Sequence, residues 1–147
     1  RPRFEDLEAR RGRLDMQALN CCQMVVAENY QTARGAWMTI GIATHVEEGK
    51  PLCEWHWVKL GVDFIFEEGV WKFWHMAVYP LLRTDTHVCW CDQPKVTYED
   101  MLRGHAPDRK PTVRKIWSYG TDQHAPRGQP VPPKPYDDFD LDIGYGY

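Results

Sequence analysis

The chain has 147 residues, 27% charged and 43% hydrophobic, with a formal net charge of −3. That length suits one domain able to bury a core. The mild acidity excludes a general nucleic-acid binder, which needs a basic face, since the only dense basic cluster is Arg10, Arg11 and Arg13. No run of eighteen apolar residues occurs, so no segment reads as a membrane-spanning helix, and no secretory signal is visible. The cysteines (Cys21, Cys22, Cys53, Cys89 and Cys91) are odd in number and lack the spacing of a small disulfide scaffold. Reduced thiols in a cytoplasmic protein are the expectation.

The sequence opens "RPRFEDLEAR" without a methionine and reads as a piece of something longer or an incomplete reading frame. Residues 1–13 are charged, with Phe4 and Leu7 three apart and Gly12 as a stop, which predicts the last turns of a helix. Residues 16–82 are rich in Val, Ile, Trp, Phe and Tyr, and "AENYQ", "EEGK" and "EEG" divide them into four strands joined by hairpins. Residues 97–103 suggest a short helix capped by Thr97. From Pro94 onward prolines and glycines recur, and "RGQPVPPKPYDDFD" predicts an irregular tail. The organisation expected is thus a helix remnant at 1–13, a sheet domain at 14–93, and a tail at 94–147 that packs on the domain or on a neighbouring protomer. The class expected is α+β, with a strongly curved four-stranded antiparallel sheet.

The third hairpin permits a register. With "FEEG" as its loop, Asp63 falls opposite Lys72, Phe64 opposite Trp71, Val62 opposite Phe73 and Leu60 opposite His75. Opposite charges then pair on one face and apolar groups on the other. His56, Leu60, Val62, Phe64, Trp71, Phe73, His75 and Tyr79 would share that apolar face. Pairing Ala27 with Thr32 and Trp37 with Leu60 adds Asn20, Cys22, Met24, Gly35, Trp37 and Thr39 to it. The opposite face still carries Trp57, Trp74 and Met76, so a covering layer, such as another subunit, is expected there. The chain holds too little helix to cover either face.

The stretches "VVAENYQTARGAWMTIG" and "GVDFIFEEGVWKFWHMAVYP" closely resemble the C-terminal half of SnoaL-like proteins, in the superfamily of nuclear transport factor 2, scytalone dehydratase and ketosteroid isomerase. The likeness runs from about Leu14 to Tyr79, and the tail "APDRKPTVRKIWSY…PPKPYDDFD" resembles that of a bacterial subgroup. It implies a cone in which a bent sheet wraps around N-terminal helices, here missing but for the remnant. It also implies a homodimer, no cofactor, and a small apolar cyclic ligand such as a steroid or polyketide. The dehydratases' strand histidine aligns near Asn20, with Gln17 as the other possibility, and an amide cannot take up a proton.

Two functional expectations follow. One is a cofactor-free dehydratase, isomerase or cyclase that abstracts a proton next to a carbonyl. In it His75 is the catalytic base or orienter, and Asn20, Trp37, His56, Leu60, Phe73 and Tyr79 hold substrate. The other is a non-catalytic binding or dimerisation module, with His75 as a packing residue, because fold does not fix chemistry. Asp63 reads as a structural partner of Lys72. "HVCWC" would put His87, Cys89 and Cys91 on one side of an extended segment, but a zinc site wants a fourth ligand, so no metal is expected. "PVPPKPY" resembles a ligand for proline-recognition domains, and draping over its own domain or a neighbour is the simpler expectation.

Overall fold

The computed structural model describes residues 11–93, 119–122 and 128–145. Four long strands follow one another: β1 (Leu14–Val26), β2 (Thr32–Glu47), β3 (Lys50–Glu67) and β4 (Val70–Asp85). They form one antiparallel meander in the order β1-β2-β3-β4.

The turns explain why the strands run so far. Glu48–Gly49 and Glu68–Gly69 each have positive φ at both residues (51° and 77°, 53° and 79°). This is the type I′ conformation, whose twist matches that of paired strands. Only two residues leave the ladder at each corner, so Glu47 pairs with Lys50 and Glu67 with Val70. The β1–β2 loop is longer, closed by Ala27 N–H to the Thr32 carbonyl (2.9 Å) and by the Asn29 side chain accepting from Gln31 N–H (2.9 Å).

The expected α+β class does not hold. Among the described residues no α-helix occurs, and the one helical element is a 3-10 turn, Leu141–Ile143, capped by the Asp140 carboxylate. The helix remnant was expected over 1–13: residues 1–10 lie outside the described residues, and Arg11 and Gly12 form a turn. The helix expected over 97–103 also lies outside them.

The β2–β3 register pairs Trp37 with Leu60, as the sequence predicts, but the β3–β4 register differs. The two-residue turn sets Phe64 opposite Phe73 and Ile65 opposite Lys72. A bulge at Trp74 then shifts the ladder, so that Asp63, not Leu60, faces His75. One extra residue reverses the facing of everything beyond it. Similar irregularities fall at Cys21–Cys22 in β1, where Cys21 has φ 51°, and at Leu81 in β4, next to Pro80. Pro80 is tolerated because β4 is an edge strand.

The two faces consequently differ. Residues 128–145 lie against one, here the tail face, which carries Arg34, Gly61, Asp63, His75 and Tyr79. The other, the open face, carries Trp37, Phe64 and Phe73, and Phe73 is 70% exposed. Trp37 meets Phe64 edge-on at 6.1 Å, and Phe64 tilts against Phe73 at 5.1 Å. Among the described residues the largest fully buried side chains are Val62, Thr39 and Asp63.

Candidate functional site

Asp63 lies in the middle of the sheet with no exposed surface. Its neighbour across β2 is Arg34 and across β4 is His75, because the Trp74 bulge brings the imidazole to this face. Arg34 Nε donates to Oδ1 at 3.2 Å, while His75 Nδ1 lies 3.1 Å from Oδ2. The third donor comes from far along the chain: the Tyr145 backbone N–H reaches Oδ2 at 2.7 Å. A buried carboxylate is tolerable only when donors surround it in this way.

The tail supplies the rest of the enclosure. The Arg34 guanidinium sits 4.4 Å from the centre of the Tyr145 ring, a cation–π contact, and the Tyr145 hydroxyl donates to the Val131 carbonyl at 2.6 Å. Gly61 makes room for that ring, since a Cβ there would lie 2.6 Å from it. His75 stacks on Trp74 at 4.5 Å, and Phe139 closes on Trp74 at the same distance. Tyr136 meets the Thr32 hydroxyl at 3.1 Å, and Asn29 donates to Asp138 at 2.8 Å. Burial pushes the phenols of Tyr79, Tyr136 and Tyr145 upward, and the Asp63 charge adds to this in each.

Chemically, a neutral His75 donating from Nδ1 to Asp63 would carry its lone pair on Nε2, the tautomer an aspartate–histidine pair selects. The same bond also fastens the tail to the sheet. A groove of about 370 Å³ lies elsewhere, lined by Met16, Gln17, Ala18, Ile40, Gly41, Ile42 and Trp55. Ile40 stands six residues beyond Arg34 on β2, about 20 Å along the strand. None of the groove's lining residues is a histidine, carboxylate or tyrosine.

The sequence-predicted residues divide between the faces. Trp37, His56, Leu60 and Phe73 share the open face as expected, whereas His75 and Tyr79 lie on the tail face. Asn20 pairs with Met38 after the β1 bulge, so it too leaves the face of Trp37. His56 packs over Gly41, and its Nε2 is buried without a hydrogen bond, 4.0 Å from Asp15. Thr39 Oγ1, also without a hydrogen-bond partner, sits one pair further along that face. Lys72 does not meet Asp63; its amine pairs with Glu67 and Glu68 at 3.2 and 3.1 Å.

Sequence reading missed Arg34, Asp63 and Tyr145 as a unit, and also a second, half-buried cluster around Glu54. There Arg83 donates to Glu54 at 2.6 Å from Nη2 and 3.1 Å from Nε, and His45 Nε2 lies 3.1 Å from the same oxygen. Glu54 and Arg83 are charged residues inside apolar runs, the one signal that could have marked them. Among the described residues, no group of three or more His, Cys, Asp or Glu side chains is placed to hold a metal ion. None of their helices is long and apolar enough to cross a membrane, which says nothing of strands. Set against protein-family models the chain matches none, and set against curated proteins it likewise finds no match.

Proposed function

We propose that this chain is the sheet portion of a SnoaL-like protein and acts as a non-catalytic module that binds a small apolar cyclic molecule. The carrying observation is the separation of cavity from chemistry. The groove beside Ile40, Ile42 and Trp55 is apolar and of ligand-binding size, while His75 is committed to Asp63 and the tail, level with Arg34 and about 20 Å further along the strands. The proposal keeps the homodimer and bacterial cytoplasm that the resemblance implies.

The test is a thermal melt followed by tryptophan emission, with and without a panel of steroids and flat polyketides. A ligand at one hundred times its Kd should add about 2.7 kcal/mol to stability. Ile42→Glu, which puts a charge in the groove, should abolish the shift, and His75→Ala should leave it intact. A panel that shifts nothing would refute the module.

The second reading is the proton-abstracting dehydratase, isomerase or cyclase with His75 as base, favoured by the tautomer that Asp63 selects. Product formed from any panel member by the parent chain, and lost in folded His75→Ala, would put this reading in place of the first.

A further inference from the structure

The segment following β4 is a surface turn held by its own hydrogen bonds. Val88 N–H donates to the Asp85 carbonyl, His87 N–H to the Asp85 carboxylate, and the Thr84 hydroxyl to the Val88 carbonyl. Asp92 N–H donates to the Cys89 carbonyl at 2.9 Å, folding Cys89–Trp90–Cys91–Asp92 into a tight turn. That turn replaces the extended segment expected from "HVCWC". Both cysteines are exposed free thiols. Their side chains adjoin, and the Tyr119 phenol adjoins that of Cys91. Tyr119 is anchored independently, its N–H donating to the Leu81 carbonyl on the outer edge of β4 (2.9 Å).

Two exposed free thiols two residues apart in one tight turn, with a phenol beside one of them, make a pair suited to thiol–disulfide exchange. We propose that Cys89 and Cys91 form a redox-active dithiol that closes to an internal disulfide by exchange with low-molecular-weight disulfides such as oxidised glutathione.

The steps balance. The Cys89 thiolate attacks one sulfur of the disulfide, forming a mixed disulfide and releasing one thiolate, which takes up the proton Cys89 gave up. Cys91 then loses its proton and attacks the Cys89 sulfur, forming the Cys89–Cys91 bond and releasing the second small thiol. The protein loses two electrons and two protons, and the small disulfide becomes two thiols. Cys91 follows rather than leads because the adjoining Cys89 thiol, helped by the Asp92 charge and only partly offset by Tyr119, holds its proton above the usual thiol range. Closing the bond asks for side-chain rotation in a surface turn.

The experiment incubates the full chain with oxidised glutathione, blocks remaining thiols by alkylation, and locates modified cysteines by peptide mass. The expected result is an internal Cys89–Cys91 disulfide, reversed by dithiothreitol and formed equally when Cys21, Cys22 and Cys53 are replaced by serine. Cys91→Ser should stop at the glutathione adduct on Cys89, and Cys89→Ser should react several-fold more slowly. Glutathione adducts on both cysteines, or both thiols still alkylated at equilibrium, would overturn the proposal. Faster reaction of Cys89→Ser than of Cys91→Ser would overturn the order of attack.

Discussion

Removing the Asp63 carboxylate should be among the most damaging single changes this fold can suffer. In Asp63→Ala the Arg34 side chain, 9% exposed, keeps its charge inside the protein with no counter-charge at its Nε. The His75 Nδ1 and Tyr145 N–H lose their acceptor in the same step. Breaking a buried ion pair from one side costs about 3–5 kcal/mol. At about 1.4 kcal/mol per factor of ten, that is a loss of roughly one hundred- to a few thousand-fold in the folding constant. A small domain has only about 5–15 kcal/mol in total. Asp63→Asn keeps the shape and one acceptor oxygen, so its loss should be smaller but still above 1 kcal/mol. Urea unfolding followed by tryptophan emission measures both, and limited proteolysis reports whether residues 128–145 have lifted. A loss below about 1 kcal/mol for Asp63→Ala, the size of an exposed pair, would refute the reasoning that this carboxylate holds sheet and tail together.

Gly61→Ala isolates the tail from the charges: its methyl would meet the Tyr145 ring. It should cost about 1–3 kcal/mol and speed cleavage of the tail while the strands keep their circular-dichroism signal. At alkaline pH the buried phenols of Tyr79, Tyr136 and Tyr145 set the sign. Their native pKa values lie above a phenol's ordinary value of about 10, so their stabilisation is full below that value. It is lost as pH climbs through the raised values. Melting temperature should therefore fall above about pH 10, and Tyr145→Phe should flatten that arm. Replacing Glu68 by Asn, which tolerates positive φ better at the first position of a type I′ turn, should raise stability by up to about 1 kcal/mol, seen as a higher melting temperature.

The strands and the β2–β3 pairing were legible because composition, alternation and glycine-bearing corners all point the same way. The helix remnant was inferred from Phe4, Leu7 and Gly12, and nearly all of that segment falls outside the described residues. The β3–β4 register was misplaced because "FEEG" suggests a four-residue loop, whereas Glu68 adopts positive φ and lets two residues suffice. The Trp74 bulge left no mark, since "KFWHM" alternates equally well with or without an extra residue. That single residue moved His75 and Tyr79 to the other face. Asp63 reads in sequence as a partner of Lys72 because the group that reveals its role, the Tyr145 N–H, is 82 positions away. No local pattern contains such a contact.

That separation also bears on the order of assembly. The meander can zip corner by corner, each turn closing a short loop at small entropic cost, while the strap must close one of 82 residues. Until Tyr145 docks, Asp63 has Arg34 and His75 but lacks its third donor. Before that contact forms, the face that carries Asp63 is open to solvent. Docking of residues 128–145 thus covers one side of the sheet and completes the donor set around its buried carboxylate in a single step.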